Sequence, residues 1–376
     1  MRMNKNIPIS RRAFLGKLAV LGGAAALSQF LAGCAPNTAT PEPSIPSTDT
    51  ELPKEQAKPT ETAFQPSEPT SPPTPTATEA HTATAGEPEP THESQPPTAT
   101  DIPRQNPDLV VARGGEPEDM VRQALAALGG MERFVAAGSS VIVKPNICVA
   151  YHSYEYAATT NPWVVGALVK LAYEAGAKLV RVMDYPFGGS PEEAYHVSGI
   201  AEQVKAAGGE LITSLPKFKF VDTDIPNGKN LRSTKIFDDI LNADVVINVP
   251  IAKNHGLARL TLGMKNLLGV VWNRPAMHVG LGQNLADITS RVRPALTVID
   301  AVRMLMDNGP SGGNLNDVKK ADTIIASPDI VAADSYAATL FGMQPDDLEY
   351  IRAGVKSGLG SNDLQNLKIE EIAVGG

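Results

Sequence analysis

Thiols are almost absent from this chain. Cys34 and Cys148 are the only cysteines in 376 residues, so no CxxC pair or cluster is available to hold zinc or an iron–sulfur centre. If Cys34 carries lipid, as argued below, Cys148 stands alone and no intramolecular disulfide is open to it. It follows an apolar strand and reads as a buried, inert thiol rather than a nucleophile. Other signatures are missing too: GxxxxGK[ST], a strand-borne GxGxxG and HExxH do not occur, and the GxSxG match at Gly309-Pro310-Ser311-Gly312-Gly313 reads as a turn and not as a nucleophile elbow. That removes the usual marks of P-loop, dinucleotide-binding, serine-hydrolase and zinc-protease sites. A basic excess is also lacking, with 33 Lys and Arg against 41 Asp and Glu, net −8. That balance gives no nucleic-acid footprint.

What is present begins with an address. Ser10 to Lys17 reads SRRAFLGK, a twin-arginine export signal, and Leu31-Ala32-Gly33-Cys34 is a lipobox. Between them, Leu18 to Leu31 forms an apolar stretch of about 14 residues, a signal h-region in length and short of the ~20 needed to span a bilayer. Arg2, Lys5, Arg11, Arg12 and Lys17 are the only charges before Cys34. Residues 1–34 therefore read as a twin-arginine lipoprotein signal. The protein is expected outside the cytoplasm, anchored by lipid at Cys34 to the outer face of the cytoplasmic membrane or the cell surface. The export machinery and the membrane are its implied partners. This route carries folded proteins, often ones loaded with a cofactor before transport.

Residues 35–107 are dominated by Pro, Thr, Ser, Glu and Ala, with Phe64 the one aromatic. Such a composition has too little apolar surface to offset the entropy of ordering, so a disordered, extended tether is expected. It carries three basic and eleven acidic residues, whereas residues from Asp108 onward carry 25 basic and 30 acidic. The latter stretch, 108–376, is long enough for one large domain with a substantial core.

Within it, short β-branched runs alternate with amphipathic stretches, the pattern of parallel strands joined by crossover helices. Strands are expected at Leu109–Ala112, Ser140–Lys144, Lys178–Met183, Glu210–Thr213, Asp244–Val249, Ala295–Asp300 and Asp322–Ala326. Helices are expected at Pro117–Leu128, Asn161–Ala175, Pro191–Ala207, Leu281–Val292 and Ile330–Phe341, with another near Pro345–Lys356. Lys217–Val221 and Arg232–Phe237 suggest an inserted antiparallel ribbon. The predicted fold is a single, mostly parallel α/β sheet flanked by helices, Rossmann-like or doubly wound.

Polar residues gather just past the strand ends. Lys144-Pro145-Asn146 follows SVIV, Asp184 follows LVRVM, Asn248, Lys253 and His255 follow DVVI, Asp300 closes ALTVI, and Asp329 follows TIIAS. In open parallel sheets ligands bind outside the carboxyl ends of the strands, so these residues should converge on one rim. Lys144, Lys253 and Lys265 would crowd three ammonium groups there and lower one another's pKa values. Such a crowd either holds a phosphate or carboxylate, one lysine serving as base or Schiff-base amine, or pairs with Asp184, Asp300 and Asp334 in a structural network. His255, in what reads as a strand-end loop, is the candidate acid–base group, and His278 a second titratable group or metal ligand. Gly309-Pro310-Ser311-Gly312-Gly313 offers backbone N–H groups to an anion but reads first as an ordinary turn.

The segments Lys144-Pro145-Asn146, Asn248-Val-Pro-Ile-Ala-Lys253-Asn-His255, Thr261-Leu-Gly-Met-Lys265-Asn266-Leu-Leu-Gly269 and His278 resemble the domain of unknown function 362 family. So do Asp300, Gly309 to Gly313, Ser327-Pro-Asp329 with Asp334, and Gly358-Leu-Gly360. The resemblance runs from about Val110 to Gly360. Many relatives carry an added ferredoxin-like cysteine module. This chain lacks it, so no protein-bound iron–sulfur cluster is expected.

Together these features predict a lipid-anchored enzyme acting on a small anionic substrate, with reaction class and cofactor open. Lys144 and Lys253 would hold the anion, Asn146 and Asn266 would orient it, and His255 and Lys265 would carry the chemistry. His278, Asp184 and Asp300 are candidates for a divalent metal, and either aspartate is equally placed to orient a lysine. The alternatives are a lipoprotein that captures an anionic solute unchanged and an interaction domain displayed on a stalk.

Overall fold

The computed structural model describes residues 106–375. The export signal, Cys34 and the tether as far as Gln105 lie outside the described residues. Twelve strands are seen: β1 (Leu109–Arg113), β2 (Ser140–Pro145), β3 (Leu179–Val182), β4 (Glu210–Leu211), β5 (Phe220–Asp224), β6 (Ser233–Phe237), β7 (Val245–Val249), β8 (Ile251–His255), β9 (Arg259–Thr261), β10 (Leu296–Leu305), β11 (Val318–Ser327) and β12 (Ile369–Ala373). Ten of them make one sheet in the order β12-β1-β11-β10-β7-β2-β3-β4, with β8 beside β10 and β9 beside β8. The run β10-β7-β2-β3-β4 is parallel throughout. Antiparallel β11 joins β10 to β1, so the sheet is mostly parallel. β5 and β6 form the separate antiparallel ribbon expected from the sequence.

Side chains alternate across the strands and bury both faces, as the near-continuous Val and Ile runs require. Val141, Val143, Val180, Val182, Ile247 and Val298 pack on one face. They meet helices α1 (Pro117–Ala127), α2 (Pro162–Glu174) and α4 (Ile200–Ala206) there, with α3 (Pro191–Val197) alongside. Val111, Ile142, Val246, Ile299 and Ile325 point the other way. That face holds α5 (Asp238–Asn242), α6 (Gly263–Asn266), α7 (Leu281–Val292), α8 (Ile330–Thr339) and α9 (Glu349–Lys356). Helix starts follow capping chemistry. The Asn161 side chain accepts from Trp163 N ahead of Pro162, and Asp329 accepts from Val331 N and Ala332 N.

Three sequence expectations change. The helix expected over Pro191–Ala207 is two, because Gly199 takes φ 78° between them, a left-handed turn that ends the first helix. The hairpin β10–β11 is longer than either predicted strand. Finally, Lys253 and His255 lie on a strand, not in a loop. Pro250 supplies no N–H and ends β7, and the chain then restarts as β8 against a later stretch of β10, while Asp300 N donates to Pro250 O.

Candidate functional site

The carboxyl ends of β2, β3 and β7 meet at a buried ion pair. Lys144, fully buried on β2, donates to Asp184 Oδ1 at 2.6 Å, just past β3. Its remaining protons go to Asn266 Oδ1 at 3.2 Å and Pro145 O at 3.1 Å. The second Asp184 oxygen accepts from Ile147 N at 2.9 Å. Burial pushes the Lys144 pKa down and Asp184 opposes that push. The approach is possible because Gly269 passes overhead, where a Cβ would stand 1.8 Å from Asp184 Oδ1 and 2.7 Å from Lys144 Nζ.

Asn266 knits this centre together. Its amide oxygen accepts from Lys144 and from Asn146 Nδ2 at 3.0 Å, and its nitrogen donates to Asn248 Oδ1 at 2.9 Å and to Lys144 O at 3.2 Å. Asn248 in turn donates to Gly263 O at 3.0 Å. Such a network is stable in the interior because nearly every donor meets an acceptor.

Lys253 extends the network from β8. Its three protons reach Asn146 Oδ1 at 3.0 Å, Ala158 O at 2.7 Å and Pro310 O at 2.9 Å, with no carboxylate among them. The Gly309–Gly313 turn therefore presents a carbonyl, not N–H groups, to this centre. Gly309 N donates to Asn254 Oδ1 at 3.1 Å, and a Cβ at Gly309 would lie 1.8 Å from Asn254 O. The thiol of Cys148, buried as the sequence suggested, meets the same Pro310 oxygen at 3.6 Å.

Lys265 differs from both. It sits on α6, whose first N–H groups, of Gly263 and Met264, are held by Asp334 at 2.6 and 2.9 Å. Burial raises the Asp334 pKa to about 7 against the pull of those two N–H groups. A Cβ at Gly263 would come within 2.7 Å of Asp334 Oδ1, so glycine there permits the cap. Lys265 is 9% exposed, yet its ammonium has no hydrogen-bond partner among the described residues. Burial first, then Lys253, lowers its pKa to about 8, with Arg274 and Lys144 adding to the push.

Two histidines stand within electrostatic reach of that lysine. His255 Nδ1 accepts from Leu257 N at 3.1 Å and Ala258 N at 3.2 Å. Because a backbone N–H only donates, the ring's one proton resides on Nε2. Burial, then Lys265 and Lys253, depresses its pKa to about 3. His255 is thus a neutral donor at ordinary pH, not the base the sequence suggested. His278 Nδ1 faces Arg274 O at 3.0 Å and is lowered by burial and by Lys265. The Arg274 guanidinium donates to Tyr185 O at 2.5 Å and Pro186 O at 3.0 Å, 3.9 Å above the Tyr185 ring.

Lys144, Asn146, Lys253 and Asn266 are therefore brought together in direct contact, with Lys265, His255 and His278 coupled to them electrostatically. The three metal candidates are not. Asp184 is committed to Lys144, and Asp300 takes Asn161 N at 2.7 Å and Val302 N at 3.0 Å, fastening α2 to β10. His278 faces Lys265. Among the described residues no three His, Cys, Asp or Glu side chains gather for a metal ion. Asp300 and Asp334 hold backbone, so only Asp184 of the three aspartates pairs with a lysine. Asn146 and Asn266 position lysines in the same way. Sequence reasoning missed Arg274, whose contacts are to loop carbonyls that no periodicity announces.

The fold and this site define an α/β protein with a cation-rich centre at the carboxyl edge of a mostly parallel sheet. The chain belongs to the family described as Domain of unknown function (DUF362), whose model matches residues 141–339. It is 29% identical over 252 residues to the Thylakoid-associated protein sll1697 of Synechocystis sp., covering 64% of this chain and 74% of that protein. Among solved structures it is similar to the lactate racemase apoprotein from Thermoanaerobacterium thermosaccharolyticum, with TM-score 0.34 and 13% identity over 62% of this chain and 57% of that one. A Thermotoga maritima protein gives TM-score 0.35 and 10% identity over 61% and 60%.

Proposed function

We propose that this chain is an extracytoplasmic, lipid-anchored enzyme that binds a small carboxylate or phosphate at Lys265. One observation carries the reading: Lys265 is a nine-tenths buried residue whose ammonium has no hydrogen-bond partner among the described residues and has further cations as neighbours. Of the cations Lys144, Lys253, Lys265 and Arg274, only Lys144 has a carboxylate partner among these residues, Asp184. Burying charges is costly unless they are paired, and an anion beside Lys265 supplies what the side chains do not. Lys144 and Lys253 spend every proton on protein acceptors, so they set the field while Lys265 and the His255 Nε2–H make the contacts. A lysine lowered to about 8 is near enough to neutrality to trade a proton or add to a carbonyl.

Capture without turnover is the second reading, favoured by His255, whose fixed tautomer supplies a donor and no base. Thermal unfolding with phosphate and a panel of small carboxylates tests the shared core of both. At least one anion should raise the melting temperature of the wild type, and Lys265→Met should abolish that rise. An unresponsive wild type would end the anion-site reading. Turnover of a stabilising anion then separates enzyme from carrier.

A further inference from the structure

We propose that His278 is the proton-exchanging group of this site: as an anion enters, Nε2 takes a proton from solvent, and the imidazolium so formed donates to the ligand. This inference rests on the anion-site reading above. Its ground is the opposite wiring of the two histidines. His278 Nδ1 lies 3.0 Å from Arg274 O, and a carbonyl oxygen only accepts, so Nδ1 carries the proton and Nε2 the lone pair. His255 is fixed the other way by Leu257 N and Ala258 N. One ring therefore presents a donor and the other an acceptor, each set by backbone rather than by choice of ligand.

The His278 turn is built rather than loose. Asn284 of α7, itself buried, donates through Nδ2 to Met277 O at 3.1 Å and Val279 O at 2.7 Å, clasping the residues on both sides of the histidine. The charged and titratable groups acting on the ring are Lys265 from α6, Arg274 from the preceding turn and His255 from β8. None is acidic. Burial, then Lys265, shifts the free imidazole toward its neutral form. An anion placed against Lys265 offsets the local positive charge and favours the imidazolium. The proton comes from solvent, one at most per anion, and no electron changes hands.

Sulfate is a suitable probe because it stays a dianion across the range in which histidine titrates. Titration calorimetry of the full chain at about pH 6, below the Lys265 range, in two buffers of different ionisation enthalpy reads the protons taken up. Uptake approaching one proton per sulfate is expected in the wild type. His278→Gln should still bind, several-fold more weakly, with uptake lost. Histidine ring-nitrogen NMR of the wild type covers the case in which that variant misfolds. With six histidines in the chain, one ring should pass from the Nδ1–H neutral form to imidazolium on sulfate addition while another stays Nε2–H. Sulfate bound with no uptake, or uptake unchanged in His278→Gln, overturns the role of His278 and leaves the anion site standing. No binding of sulfate, of phosphate or of any carboxylate in the panel overturns both.

Discussion

Charge at a single side chain decides what each lysine does. Lys144 and Lys253 are fully buried and saturated by acceptors, whereas Lys265 is slightly more exposed and has no hydrogen-bond partner among the described residues, and that contrast separates scaffold from candidate chemistry. Glycine enforces it. Gly269→Ala would drive a methyl onto the Lys144–Asp184 pair, and parting a buried pair costs about 3–5 kcal/mol. Urea denaturation should show a loss of that order, with far-UV circular dichroism retained in native buffer. His255 makes a pH prediction. Its folded pKa of about 3 lies below the unfolded value of 6.5, so its contribution is complete above about pH 6.5 and is lost as pH falls toward 3. Relative to His255→Gln, the wild type should weaken by several kcal/mol over that window. Equal acid sensitivity of the two proteins would contradict a buried, neutral imidazole.

The element that brings the site together is α6, four residues long. It carries Lys265 and Asn266, and Asp334 of α8 holds its first two N–H groups. Asp334→Ala leaves two buried donors without partners, each costing about 1–3 kcal/mol. Stability should fall accordingly, and anion affinity should fall with it because Lys265 rides on that turn. Unchanged affinity in a folded variant would separate the cap from the site. The sequence revealed the strong elements and hid the weak ones. β2, β7 and α2 announce themselves through long apolar periodicity. The α6 turn and β9 are too short for any period, and β12, Ile-Glu-Glu-Ile-Ala, lacks strand alternation and looks like a polar tail. β8 was hidden by Pro250, which reads as a strand end. The candidate residues were legible because they end strands. Their division into saturated and free was not, since it depends on carbonyls of Ala158, Pro145 and Pro310 that any residue type would supply.

At the scale of the whole chain, location is the outstanding proposal, motivated by SRRAFLGK and LAGC. Replacing Arg11 and Arg12 with lysine should leave precursor in the cytoplasm, and Cys34→Ala should yield unlipidated protein. Cell fractionation and mass spectrometry of the amino terminus would show both, and fully processed, membrane-bound material from either variant would sink the idea. The sheet topology constrains how such export proceeds. β1, the first strand, is flanked by β11 and β12, and the Asp108 carboxylate accepts from Lys368 N, 260 residues on. Among the described residues β1 therefore has no sheet neighbour until β11, whose Ala326 pairs with Val110, has been made. Because the proposed route moves folded cargo, the domain would have to leave after synthesis, once β11 and β12 have closed on either side of β1.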